Sequence, residues 1–417
     1  MTQEENELLT RVGPGTPMGN LLRRYWMPAL LSRELAVPDC PPVRVKLLGA
    51  RFVAFRDTSG RVGLVDEFCA HRRASLFLGR NEEQGLRCVY HGWKYDVEGR
   101  CVEQPTESEE SNFRDKIRLK ACATAEMGGL IWAYLGPKEK LPPAPEFEWT
   151  RAAENRRLVT KVWTECNWLQ AVDGNFDAFH ASYLHRNLTN KTTRSGLVAD
   201  GAYLRSSTAP LEIELTNYGF CYAAIRPLLE GKKFVHINHY VMPFHQMRLV
   251  TSKGEFKSSM MEGHMQVPMD DENCMDYVWR YSSKDDSVEE MEKIEADRGR
   301  GREEMTANFR KVRNKDNDWL IDRRVQKTET YSGIEGINTQ DHAVQESMGP
   351  IVDRTQEHLG SSDRAVFALR TLLIQSARAL ERGIDPPGLA ASYYNVRPWG
   401  GILSADASWK NVLKSEM

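Results

Sequence analysis

No apolar run in the 417 residues is long enough to span a bilayer, and the opening MTQEENELLT lacks the basic-then-apolar pattern of a secretory signal. Neither charge sign dominates. The 56 Lys and Arg against 58 Asp and Glu leave a formal net charge of -2, which gives no reason to expect nucleic acid or an anionic membrane as partner. Cysteine is sparse and scattered: Cys40, Cys69, Cys88, Cys101, Cys122, Cys166, Cys221 and Cys274 form no paired framework. Such spacing reads as reduced thiols or metal ligands rather than structural disulfides. Internal repeats and low-complexity tracts are also missing. What is left is an ordinary cytoplasmic enzyme of two domains, with 41% hydrophobic and 27% charged residues.

Periodicity changes along the chain. Residues 16–37 begin with a Thr-Pro start signal and carry a partly helical apolar face through Leu21, Leu22, Tyr25, Trp26 and Leu30. From about Pro41 the apolar residues alternate in short runs broken by LGA, DTSG and VEG turns, which predicts antiparallel hairpins. Pro142, Pro143 and Pro145 read as a linker. The expected organisation is an N-terminal segment over 1–39, a compact all-β unit over 40–140, and a larger mixed domain over 141–417. Within the last, 202–280 is rich in strand-like runs, 283–330 reads as charged, solvated helices or a surface excursion, and 362–382 as a closing helix.

The stretch from Cys69 to Asp96 organises the rest. It holds Cys69-x-His71 and Cys88-x2-His91, each on a hairpin tip. Two thiolates and two imidazoles suit a structural zinc or a [2Fe–2S] cluster with two His on one iron. Three details favour the cluster. Each loop supplies one Cys and one His; Gly92 lets backbone amides approach bridging sulfides; and Trp93 and Tyr95 shield the site.

A second constellation lies in DGNFDAFHASYLH, where Asp177, His180 and His185 form D-x2-H-x4-H. Two His with a carboxylate and open positions are the facial set used for Fe(II) and O₂. Asp177 and His180 are neighbours at helical spacing. Five residues separate His180 from His185, about 140° apart on a regular helix, so the helix must bulge or end between them to share a metal. His236, His239 and His245 do not converge from one strand, and read as strand packing, with one of them lining a substrate cavity as the alternative.

These stretches resemble the Rieske non-heme iron ring-hydroxylating oxygenases, in their alpha (oxygenase) subunit and phthalate-dioxygenase-like branch. The likeness is carried by RRYWMPALLSREL, the Cys69–Asp96 stretch, NWLQAVDGNFDAFHASYLH and NTQDHAVQESMGPIVDRTQEHLGSSD. Respiratory Rieske proteins carry two further cysteines; Ala74 and Tyr90 stand there here, and Trp93 replaces their usual Ser. Fewer donors to the cluster place its potential toward the lower part of the Rieske range of about −150 to +300 mV.

The resemblance implies an α+β fold: an all-β Rieske domain plus a helix-grip-like antiparallel-sheet catalytic domain with flanking helices. It implies one [2Fe–2S] cluster on Cys69, His71, Cys88 and His91, and one mononuclear Fe(II) on His180, His185 and a late carboxylate. Asp341 is the best match for that carboxylate, with Asp363 and Glu346 as alternatives. Asp177 would link His180 to His91 of a neighbouring subunit as the electron relay, which implies a homotrimer or a stacked hexamer. A separate NAD(P)H-dependent reductase, with flavin and a ferredoxin-type cluster, would supply electrons. The implied reaction dihydroxylates an aromatic carboxylic acid with O₂, giving a cis-dihydrodiol, and Arg205 with Arg248 would hold the carboxylate. Monooxygenation or O-demethylation is the alternative within the family; an electron carrier without oxygenase activity, or a zinc-stabilised binding protein, is the alternative outside it.

Overall fold

The computed structural model describes the chain apart from residues 109, 190–209, 251–259, 285, 390–392, 394 and 417. Arg205 therefore lies outside the described residues, as does the strand-like run at 203–208.

The architecture is α+β. Three small sheets precede one large one. Val43–Leu47, Ala50–Arg56 and Val62–Asp66 form the first, in chain order. Arg80–Glu82, Gly85–Arg87, Lys94–Tyr95 and Cys101–Glu103 form the second, and Trp26–Leu31 pairs with the Ala123–Met127 and Leu130–Tyr134 hairpin to form the third. Three of the two-residue hairpin turns, Leu48–Gly49, Glu83–Gln84 and Gly128–Gly129, have positive φ at both positions. Such primed turns match the twist of the strands they join. Leu48, Glu83 and Gln84 take this conformation without being glycine.

The Ala50–Arg56 strand divides two cores by its alternation. Val53 and Phe55 pack with Leu76, Leu86, Trp93, Tyr95, Cys69 and Cys88. Phe52 and Ala54 face the main core, with Leu21, Leu30 and Trp132 from the N-terminal elements and Trp168, Phe220 and Tyr240 from the larger region. The apolar face expected as helix over 16–37 is helical only through Pro17–Leu22. Trp26–Leu31 is a strand instead, because pairing with Leu130–Tyr134 satisfies its backbone and buries five of its six residues.

The large antiparallel sheet runs Arg157–Thr164, Cys274–Ser282, Met260–Pro268, His245–Leu249, Lys232–Val241, Gly219–Pro227, Leu211–Thr216; Trp399–Ser404 also pairs with Lys232–Val241. The helices Trp168–Phe176 and Ile337–Ser347 touch each other, and the first packs on the Met260–Pro268 strand. The Arg364–Glu381 helix covers the N-terminal helices.

The 283–330 region is a surface excursion of short helices and turns, but some of its charges are drawn inward rather than solvated. Val288–Asp297 begins with a Ser287/Glu290 capping box, but buries Met291 and Glu295. Arg300 and Lys311 are buried as well. These charges are drawn inward by one another, Glu295 meeting Arg300 and Arg280.

Candidate metal centres

The two Cys–His loops share one backbone design. Cys69 N–H donates to Ala74 O (2.9 Å) and Arg73 N–H to Cys69 O (3.0 Å). Cys88 N–H donates to Trp93 O (2.8 Å) and Gly92 N–H to Cys88 O (2.9 Å). The fifth residue of each loop, Arg73 and Gly92, has φ of 61° and 74°. At Gly92 a Cβ would stand 2.7 Å from Pro105 Cγ, so both conformation and space call for glycine. Each loop thus folds its cysteine inward while its histidine follows at a different offset.

The side chains converge. His71 and His91 have ring centroids 4.4 Å apart, and the Nδ1 atoms of both are buried without a hydrogen-bond partner. Both thiols are buried, and a hydrogen bond between them holds Cys69 down to about 5 and pushes Cys88 up. Two orphaned imidazole nitrogens beside two thiols that share a proton fit the ligand set of a [2Fe–2S] cluster with mixed ligation. Trp93 stacks on His71 at 4.4 Å and 7°, and Tyr95 Oη lies 3.2 Å from Cys69 Sγ. Tyr90, which stands where a disulfide cysteine would be, is exposed and covers His91 at 3.9 Å.

The second cluster is built where the Trp168–Phe176 helix stops. That helix ends before both histidines, rather than between them. Asp177 accepts from the Phe179 amide at 2.7 Å, and His180–Ser182 forms a single 3₁₀ turn. Breaking the helix here frees His180 and His185 from helical spacing, so their rings meet at 5.1 Å.

Asp341, on Ile337–Ser347, reaches the same point. Its Oδ1 lies 3.4 Å from His180 Nε2 and 3.1 Å from His185 Nε2, and one ligand atom from each of the three lies within 4.8 Å of the others. Burial would neutralise these groups, yet the carboxylate is held well below its usual range by His185 and His180. His180 is likewise lowered by burial but raised overall, to about 10, by Asp177 and Asp341. A set of like-aimed nitrogens around one carboxylate is what a divalent cation would occupy.

The rear of each ring is fixed. His185 Nδ1 lies 2.7 Å from Gln340 Oε1, and His180 Nδ1 3.5 Å from Asp177 Oδ2. An N–H held at Nδ1 leaves Nε2 to face Asp341. Gln340 was not singled out from the sequence; its place beside Asp341 was the available signal.

The other two carboxylates considered for this site are engaged elsewhere. Asp363 accepts from the Gly360 amide at 2.6 Å, and Glu346 accepts from the Glu165 amide and from Trp319 Nε1. His239 and His245 are bound to Tyr218 and Trp279. His236, in contrast, lines the cavity beside the triad, the alternative considered for one of these three histidines.

That cavity has a volume of about 140 Å³ and is walled by His180, His185 and Asp341 together with Tyr222, Asn238, Arg226, Arg248 and Arg298. Arg248 is present as expected, but its Nε is bound to Glu262 at 2.6 Å. Arg298 and Glu262 were not read from the sequence, since strand register and the turn after Val288–Asp297 together bring them here.

No helix among the described residues is long and apolar enough to cross a membrane.

Residues 25–121 match the Rieske [2Fe-2S] domain family and residues 133–417 the LigXa C-terminal domain like family. The phthalate 4,5-dioxygenase oxygenase subunit of Pseudomonas putida is 36% identical over 420 residues, covering 99% of this chain and 94% of that one. The 5,5'-dehydrodivanillate O-demethylase oxygenase subunit of Sphingobium sp. is 31% identical, covering 93% and 83%. Among solved structures, dicamba monooxygenase bound to dicamba superposes with a TM-score of 0.61 at 17% identity, covering 88% of this chain and 100% of that one.

Proposed function

The chain belongs to the Rieske oxygenases, as an oxygenase (alpha) subunit, and from that premise we propose that it adds both atoms of O₂ to an aromatic carboxylic acid, giving a cis-dihydrodiol. In this reading Cys69, His71, Cys88 and His91 hold the [2Fe–2S] cluster, and His180, His185 and Asp341 hold the mononuclear iron. When bound, the cluster supplies single electrons and the iron supplies the activation of O₂.

The observation that carries the substrate class is a surplus of guanidinium. Arg248 and Arg298 line the cavity beside the triad and, among the described residues, share the one carboxylate of Glu262 outside the His180–Asp341–Asp177 group. Buried positive charge in excess of its partners supports an anionic ligand. Arg248 is retained as a carboxylate-binding residue; Arg205 stays a proposal outside the described residues. Tyr222 and Ala224 give the wall an apolar portion for the ring.

The protein's remaining share is positioning. Gln340 keeps the proton of His185 at Nδ1, and Asp177 does the same for His180. Asp177 is also the proposed link to His91 of a neighbouring copy, which requires a closed ring, a homotrimer or a stacked pair of them. A separate NAD(P)H-dependent reductase with flavin and a ferredoxin-type cluster is the proposed donor. The resemblance to an O-demethylase at 31% identity supports a second reading, monooxygenation of an aryl ether.

Turnover of benzoates, phthalate isomers and aryl ethers under ¹⁸O₂ tests both. Two labelled oxygens in one diol support the first reading; an unlabelled phenol, with the one incorporated atom leaving in formaldehyde and the other in water, supports the second. No oxygenated product, with full cluster and iron loading, removes both.

A further inference from the structure

Glu262 occupies an unusual place for a carboxylate. It is 1% exposed, yet it lines the cavity, and it lies directly across the sheet from Arg248 on one side and Arg280 on the other. Arg248 Nε donates to its Oε1 at 2.6 Å, and Arg298 Nη1 reaches Oε1 and Oε2 at 3.0 and 2.8 Å. Arg280 Nη2 stands 2.8 Å from Oε2 and 2.7 Å from Glu295. Burial would push this carboxyl up, but the three guanidiniums outweigh it and keep the group ionised.

A guanidinium is a planar fork of five donors, so committing one edge decides which edge remains. Arg248 gives Nε to Glu262, and its Nη2 lies 3.3 Å from His264 Nε2; His264 Nδ1 is held by Asp276 at 3.0 Å. Its Nη1 is left for the cavity. Arg298 gives only Nη1 to Glu262. One carboxylate therefore orients two arginines and cancels part of their charge.

We propose that Glu262 is a specificity-determining positioning residue: it sets which donor edges of Arg248 and Arg298 face the substrate carboxylate, and its own charge holds back more highly charged anions. This rests on the carboxylate reading above. A dianion meets the repulsion of Glu262 twice over and a neutral ring not at all, so removing that charge favours the dianion most.

The test is anaerobic calorimetric titration of the purified holoprotein with benzamide, benzoate and phthalate, alongside steady-state kinetics. Glu262→Gln keeps the shape and removes the charge; it should raise the phthalate-over-benzoate preference at least tenfold, change benzamide binding less than threefold, and act on KM with kcat within threefold. Glu262→Asp restores the charge and should return the preference to within threefold of the parent. Arg298→Gln leaves Glu262 paired with Arg248 and Arg280 and should move the preference the opposite way. A preference within twofold of the parent in Glu262→Gln, with the cluster spectrum intact, overturns the proposal. Should that variant not fold, an unchanged preference in Arg298→Gln overturns it equally. A parent protein that binds benzamide as well as benzoate removes the carboxylate reading and this role together, whereas a carboxylate preference indifferent to Glu262 removes this role alone.

Discussion

Asp177 Oδ2 stands 3.5 Å from His180 Nδ1, and the other oxygen of the same carboxylate caps the turn that carries the histidine. Asp177 thus does two things at once. Asn at this position keeps an oxygen for the Phe179 amide but loses the charge facing the ring. Asp177→Asn is expected to leave cluster absorbance and iron content unchanged while turnover falls about 10–100-fold, the usual cost of losing a partner behind a metal-binding histidine. Single-turnover kinetics with the pre-reduced protein locate the loss. Undiminished turnover would remove the proposed link to His91.

Asp341 is the one carboxylate within 3.5 Å of both His180 Nε2 and His185 Nε2 among the described residues. Asp341→Ala is therefore expected to lose the mononuclear iron and keep the brown cluster. Metal analysis should fall by one iron per chain, with the visible spectrum intact. Retained iron would move the assignment elsewhere, although Asp363 and Glu346 already serve backbone amides.

What was legible in the sequence depends on how local the geometry is. Cys69, His71, Cys88 and His91 sit on two loops joined by short hairpins, so spacing alone describes the cage. Asp177, His180 and His185 are close in sequence too, but the helical reading misjudged where the helix stops: the Asp177 cap ends it ahead of both histidines. Glu262 and Arg298 leave no local trace, because their meeting depends on strand register and on the turn after Val288–Asp297. The charged 283–330 stretch looked solvated for a related reason. Composition counts charges but does not reveal that Glu295, Arg280 and Arg300 neutralise one another out of water.

That buried trio makes stability depend on acid. Burial would raise the Glu295 carboxyl, but Arg300 and Arg280, with hydrogen bonds from Arg300 and Thr160, lower it from 4.5 to about 2. The folded value lies below the unfolded one, so the stabilisation is complete above about pH 4.5 and is lost as pH falls toward 2. Glu295→Gln strands the buried Arg300 guanidinium, while Arg280 keeps Glu262, and is expected to cost about 3–5 kcal/mol at neutral pH. It should also flatten the decline in stability between pH 4.5 and 2, measured by urea unfolding across that range. A variant with the parent's acid slope would place the titrating group elsewhere.

Tyr95 is placed to tune the potential of a cluster held by Cys69 through one hydrogen bond. Its Oη accepts from the Ala70 amide at 3.2 Å, which aims the hydroxyl proton at Cys69 Sγ, also at 3.2 Å. A donor to sulfur favours the reduced, more negative state of a cluster. Tyr95→Phe removes that donor and leaves the buried ring in place. A net hydrogen bond of about 1–1.5 kcal/mol corresponds to a fall of about 45–65 mV for a one-electron couple. Protein-film voltammetry of the two proteins reads this directly, and the spectrum of the oxidised variant should stay that of the parent. A potential that does not move would mean the hydroxyl proton points to a different acceptor when the cluster is in place.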